Sequence, residues 1–183
     1  MSAGSELPVF AVHVRVLPAN GFPVELEAKG GELEQLARFC GVARFEFAAA
    51  SLRVSRWRGG GVEVTGRIRA RCQQPCVVTL VPVAQEIDVP VQATFVPAGS
   101  RMDARHGDGD HELLLDPEGP DAPEPFEGDE IDVWRLVAET LALVVDHWPR
   151  APGATLDPRW SDVSTSDSPF AALKGWKPPS KSG

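Results

Sequence analysis

Hydrophobic and polar positions alternate clearly at the start of the chain. Phe10, Val12, Val14 and Val16 interleave with Ala11, His13 and Arg15, the period-two pattern of a half-buried strand. A turn-rich Pro18-Ala19-Asn20-Gly21-Phe22-Pro23 follows, then a short apolar run at 24–26. Leu33, Leu36 and Phe39 fall on one helical face, and Gly41 stops that short helix. The longest alternation comes next. Val62, Val64, Gly66, Ile68, Ala70 and Cys72 share one parity, while Glu63, Thr65, Arg67, Arg69 and Arg71 share the other. Such a strand has one dry face and one strongly basic face.

Around it the pattern predicts an antiparallel meander over 44–97, curled toward a small barrel. Gly59-Gly60-Gly61 reads as a hairpin tip. If the three glycines form the loop, Val54 lies opposite Gly66, Leu52 opposite Ile68 and Ala50 opposite Ala70, so both strands are apolar on the core face. A second hairpin at Gln73-Gln74-Pro75 sets Cys76, Val78 and Leu80 beside Cys72, Ala70 and Ile68. A further strand covers 86–95, with Ile87, Val89, Val91, Ala93 and Phe95 on one face and Pro90 marking an edge. Phe45 and Phe47 have the wrong parity for the core, which calls for a bulge near 48–51 or a covering helix.

Residues 98–130 are acidic, opposed by Arg101 and Arg105, and interspersed with Gly and Pro. They read as a solvated loop in which Leu113-Leu114-Leu115 forms a short strand. A longer helix then begins with Asp132 as N-cap and Ile131 and Leu136 placed for a hydrophobic staple. Its buried stripe is Val133, Leu136, Val137, Thr140, Leu141 and Val144, and Pro149 ends it. The expectation is one α+β domain over 8–149, with an antiparallel, barrel-like sheet, a short N-terminal helix and a longer C-terminal helix. A Pro/Ser-rich tail over 150–183, partly disordered, carries a small apolar patch at Phe170 and Leu173.

Composition narrows the function. The 183 residues are 43% hydrophobic and 24% charged, enough for a packed core. No stretch approaches the roughly 18–20 apolar residues of a membrane span. The first residues lack the regions of a signal peptide, so the chain reads as cytoplasmic. The net charge of −8 argues against a wholesale nucleic-acid coat but conceals the basic sheet face.

In that register Arg53 lies opposite Arg67, with Arg69 and Arg71 beyond and Trp57 near the hairpin tip. Like charges facing each other on a sheet are unfavourable, so a neutralising anion accounts for the cluster. Arginine suits phosphate, and an exposed tryptophan can stack a base. Arg53, Arg67, Arg69, Arg71 and Trp57 are therefore the nucleic-acid-binding candidates. The alternative is that the acidic loop folds over these arginines and cancels them, or competes with RNA for the same face.

Cys72 and Cys76 resemble half of a metal site, but no second ligand pair accompanies them and both have core parity. The four histidines, His13, His106, His111 and His147, are scattered, and no nucleophile elbow, phosphate loop or dinucleotide fingerprint occurs. No enzyme activity, cofactor or metal is expected.

Several stretches, in order, resemble a known family. They are Gly66-Arg67-Ile68-Arg69-Ala70, Gln74-Pro75-Cys76-Val77-Val78-Thr79-Leu80-Val81-Pro82-Val83, Phe95-Val96-Pro97 and Gly128-Asp129-Glu130-Ile131-Asp132. Ala138-Glu139, Leu141-Ala142-Leu143, Pro149-Arg150-Ala151-Pro152-Gly153-Ala154 and Ser168-Pro169-Phe170-Ala171-Ala172-Leu173-Lys174 follow. This chain resembles the bacterial YceD family, also called the large ribosomal RNA subunit accumulation protein family, in its alphaproteobacterial form. The resemblance implies a cytosolic, non-enzymatic factor in accumulation or processing of large-subunit ribosomal RNA, and so in ribosome assembly. Many family members carry two cysteines separated by two residues. Cys76 matches the second, but Gln73 stands where the first would fall, so no metal ligands carry over.

The expected partner is large-subunit ribosomal RNA or a pre-ribosomal particle, held through the basic face. The alternative partner is a basic ribosomal or assembly protein, held by the acidic loop. Neither a membrane nor a small-molecule substrate is expected.

Overall fold

The long alternating run at 62–75 becomes the central strand of a five-stranded sheet. The computed structural model describes residues 7–100, 122–157 and Arg159. Its strands are β2 (Phe22–Glu27), β3 (Arg44–Arg56), β4 (Val62–Pro75), β5 (Pro82–Pro97) and β6 (Glu124–Phe126), in the order β2-β3-β4-β5-β6. Neighbours are antiparallel except β5 and β6, which are parallel. A separate two-stranded sheet joins β1 (Ala11–His13) to β7 (Glu130–Asp132). The helices are α1 (Gly31–Cys40) and α2 (Val133–Val144). The architecture is α+β. β2 and β6 form open edges, so the expected barrel closure is not found.

Both helices bury one stripe against the sheet's core face. Leu36, Ala37 and Cys40 of α1 and Val133, Trp134, Val137, Ala138 and Leu141 of α2 are buried in one cluster with Leu52, Val54, Val64 and Ile68. The expected Thr140 and Val144 are only half-buried, and Phe39 is 44% exposed, because Trp134 and Cys40 take the inward positions. Gly41 ends α1 in the left-handed conformation, with φ +67°. Asp132 caps α2, its carboxylate accepting the N–H groups of Trp134 and Arg135 at 3.0 and 3.4 Å. The same oxygen accepts Phe10 N–H at 3.1 Å, tying the chain start to the helix start. The first strand is shorter than its alternation predicts: pairing stops at His13, and Val14–Val16 turn into a 3-10 helix.

The hairpin register is offset by two residues from the expected one. Val54 faces Val64, Leu52 faces Gly66 and Ala50 faces Ile68. Arg56 pairs with Val62, so the loop spans 57–61 rather than the glycines alone. A shift of two preserves parity, which is why the core face stands although the partners change. The bulge falls between Phe45 and Phe47, ahead of its expected place. It turns Phe45 into the core opposite Cys72 and leaves Phe47 on the outer face, 45% exposed.

The second hairpin is a larger correction. β4 continues through Pro75, 76–81 form a tight turn, and β5 returns from Pro82 with Ile87 opposite Ala70 and Val89 opposite Ile68. Cys76, Val78 and Leu80 therefore lie outside the sheet. Pro90 faces Arg67 of β4, and among the described residues no strand pairs with its other side, as its missing donor requires. Residues 101–121, with the run Leu113-Leu114-Leu115, lie outside the described residues, as does the patch at Phe170 and Leu173.

Candidate nucleic-acid interface

The outer face of the sheet carries the candidate arginines. Arg67, Arg69 and Arg71 form a row on β4, and Arg53 stands on β3 opposite Thr65 rather than opposite Arg67. The feared arginine–arginine opposition is therefore absent. Instead, β5 sets carboxylates beside the row, with Asp88 opposite Arg69 and Glu86 opposite Arg71.

Arg67 Nη1 donates to Asp88 Oδ1 at 2.6 Å, diagonally across the ladder. Arg71 lies between Glu46, at 3.2 Å from Nε, and Glu86, at 3.7 Å from Nη1. The bulge brings Glu46 there, where Arg44 (3.5 Å) and Gln73 (2.8 Å) also reach it. The Arg71 Nε contact lacks hydrogen-bond alignment, so that buried donor has no acceptor among the described residues. Arg53 donates to the carbonyl of Asn20 at 3.0 Å. Arg69 has no ion-pair partner among the described residues, where it lines a groove with Glu25, Glu27 and Ser51.

Trp57 lies at the hairpin tip and is half-buried rather than open. The Arg58 guanidinium covers one ring face at 4.6 Å from the centroid. A position for Cβ on Gly61 would come 3.2 Å from its ring, so the tip glycines fit closely against it. Base stacking on Trp57 requires Arg58 to move or to join the stack.

The neutralising charges were legible. Glu86 and Asp88 share the outward parity of the 86–95 strand, and pairing it directly with the arginine strand would have revealed the match. The intervening Pro75 and Pro82 mark where that pairing begins. Glu46 had no such signal, because the bulge alone brings it to Arg71.

Sequence reasoning also missed the environment of Cys76. Its Sγ accepts N–H bonds from Ala151 at 3.2 Å and from Val78 and Thr79 at 3.4 Å. These bonds, the Ala151 N–H foremost, lower the thiol to about 6 although no part of the residue touches solvent. Val77 N–H also bonds to Pro149 O at 3.0 Å, while Gln74 and Gln85 hold the carbonyls of Asp146 and Val144. The turn at 76–81 and the segment after α2 are thereby clasped together. Cys72 lies deeper, with Sγ 3.9 Å from Gln85 Oε1. These thiols do not converge as metal ligands, and among the described residues no group of three or more His, Cys, Asp or Glu is placed to hold a metal ion.

Residues 64–177, more than half of the chain, match a family described as large ribosomal RNA subunit accumulation protein YceD. The chain belongs to the YceD family. The match spans β4, β5 and α2 together with the clasp at Cys76, whereas β1, β2, α1 and β3 precede it. No curated protein and no solved structure shows a significant match. Among the described residues, no helix is long and apolar enough to cross a membrane.

Proposed function

We propose that this YceD protein is a cytoplasmic, non-enzymatic factor that supports accumulation of large-subunit ribosomal RNA by binding the RNA or a pre-ribosomal particle. Arg53, Arg67, Arg69 and Arg71 contact phosphate, and Trp57, with Arg58 over its ring, takes a base at the sheet's end. The family description supplies the ribosomal role. The observation that carries the RNA contact is the row on β4. Arg69 is unpaired among the described residues, between Arg67, whose pair with Asp88 is exposed, and Arg71, whose Nη1 meets the exposed Glu86. Exposed pairs of this kind hold only about 0.2–1 kcal/mol, so a polyphosphate can displace them. Alternate positions of a strand repeat about every 6.8 Å along the backbone, and the long arginine side chains on them can reach neighbouring phosphates of a single strand.

The test is titration of large-subunit ribosomal RNA at several salt concentrations. Affinity falls with salt, with a log–log slope near −0.7 per phosphate contact, or about −3 for four. Arg67→Glu with Arg69→Glu removes most of it. Binding that ignores salt, or is unchanged in that variant, refutes the interface.

A second reading has its own support in the net charge of −8 and the carboxylates interleaved with the arginines. Here the protein is an adaptor that grips a basic ribosomal or assembly protein through its acidic loop. Deleting residues 101–121 separates the readings. RNA affinity rises if the loop screens the arginines, and ribosomal-protein affinity falls if the loop is the contact.

A further inference from the structure

β2 is the outermost strand of the sheet, and among the described residues its outer edge is bare. Ala28 N–H bonds to Ala48 O at 2.9 Å, which sets the ladder phase: even-numbered residues of this strand turn their backbone groups toward β3. Odd-numbered residues turn theirs outward. The N–H groups of Glu25 and Glu27 and the carbonyls of Pro23, Glu25 and Glu27 therefore point away from the sheet. Among the described residues nothing pairs with them. Pro23, which has no N–H to offer, occupies an outward position.

A groove of about 880 Å³ runs along this edge. On its core side lie Phe10, Leu26 and the buried Trp134, whose indole N–H has no acceptor among the described residues. On its outer side lie Glu25, Ser51 and Arg69. A second, apolar hollow of about 350 Å³ continues from Phe10 to Val16 and Phe22. Val9, Phe10 and Val16, exposed by 72, 37 and 76%, line these two hollows with Phe22, the first residue of β2, exposed by 40%. A strand edge protected only against aggregation carries charge and proline without a rim of exposed apolar side chains.

We infer that the outer edge of β2 is a docking site for an extended peptide segment of another protein that alternates apolar residues with lysine or arginine. Added beside β2, such a segment completes the ladder with the free groups of Glu25 and Glu27. Its inward side chains enter the space by Phe10, Leu26 and Trp134. Its outward side chains fall beside Glu25, which accepts the Ser51 hydroxyl at 2.6 Å, and Glu27, whose pair with Lys29 at 3.6 Å is exposed and open to exchange with an incoming cation, so opposite charge is favoured there. A second copy of this chain suits the edge poorly, because an antiparallel β2–β2 pairing sets these glutamates against their own kind. This proposal does not depend on RNA contact by the arginine row.

The full chain is titrated with two labelled nine-residue synthetic peptides, one alternating valine with lysine and the other valine with glutamate. Fluorescence anisotropy follows binding, and NMR amide exchange follows the backbone. The lysine peptide binds at least tenfold more tightly and slows exchange at the Glu25 and Glu27 amides, leaving Val24 and Leu26, already bonded to β3, unaltered. Glu25→Gln with Glu27→Gln brings the two peptides to parity, and Glu25→Lys with Glu27→Lys reverses the preference. Equal binding of both peptides by the unaltered chain, or binding without slowed exchange at Glu25 and Glu27, overturns the proposal. So does slow exchange at those amides in the peptide-free monomer, which means the chain covers its own edge. Concentration-dependent dimerisation that slows them overturns it in favour of a second copy.

Discussion

Gly66 on the central strand is the position where the sheet tolerates least. A Cβ built there meets the carbonyl oxygen of Ser51 and comes 2.8 Å from both Cα and Cδ2 of Leu52. Most of that obstruction is backbone of β3, and β4 is held by β5 on its other side, with Gly66 paired to Val91. Neither neighbour can step aside without breaking ladder bonds. Gly66→Ala therefore forces backbone displacement in a packed centre, for which overpacking costs about 3 kcal/mol, at the upper end of the usual range. For a chain of this length that corresponds to a drop in Tm of about 6–12 °C. Gly31→Ala is the matched control, because a Cβ at Gly31 meets nothing within 4 Å and α1 favours alanine over glycine. Urea and thermal unfolding followed by circular dichroism measure both. If Gly66→Ala unfolds within 1 kcal/mol of the parent, as Gly31→Ala should, then β3 and β4 do not approach as closely as described.

Other expectations follow from single contacts. Asp132→Ala strips three acceptor contacts from the start of α2 and costs about 1–2 kcal/mol by chemical denaturation; a change below a few tenths refutes the capping role. Asp88→Asn with Glu46→Gln and Glu86→Gln removes the carboxylates that pair with Arg67 and Arg71, so RNA affinity rises and the salt slope steepens if these arginines contact phosphate; unchanged affinity counts against the interface. Cys76 has its folded-state thiol lowered to about 6 from 9.0, so between these values the unfolded chain holds the extra proton and stability rises with pH. Burial raises Cys40 to about 12, which reverses the sign above pH 9, and Cys76→Ser flattens only the lower limb of the unfolding profile.

Much of the fold was legible because strand parity is robust. An offset of two residues in the first hairpin left every core residue of β4 on the same face, so Ile68 and Ala70 inward and Arg67 and Arg69 outward follow from alternation alone. The N-cap at Asp132 and the stop at Gly41 are local chemistry and needed no tertiary context. Partners are different, because they depend on loop length. The apolar Val77, Val78 and Leu80 look like strand, yet the turn at 76–81 forms because Cys76 Sγ and Pro149 O satisfy its N–H groups. Those acceptors belong to side-chain chemistry and a distant segment, which periodicity does not encode. The groove beside β2 was equally hidden, since it takes shape only where residues 8–10 and α2 come alongside that strand.

The charge pattern of the outer face bears on function more than its arginine count. Arg67 and Arg71 are balanced by Asp88, Glu86 and Glu46, all supplied by the sheet itself. These two arginines therefore need no screening by the acidic loop to be compatible with folding, and the candidate arginines left without an ion-pair partner among the described residues are Arg53 and Arg69. Long-range attraction of RNA is correspondingly weak for a chain of net charge −8, so the RNA contact proposed for this face would depend on exchange of partners at close range. A phosphate that displaces Asp88 from Arg67 leaves that carboxylate free in water at little cost, because the pair is already solvent-exposed. Such an exchange favours an RNA already held nearby, and a partner protein that carries RNA and seats its own segment on β2 would provide that proximity through effective concentration. RNA covalently joined to the lysine peptide should then bind at least about tenfold more tightly than RNA alone in the presence of the free peptide. Equal affinity would instead mean that the sheet face and the β2 edge cannot be engaged together.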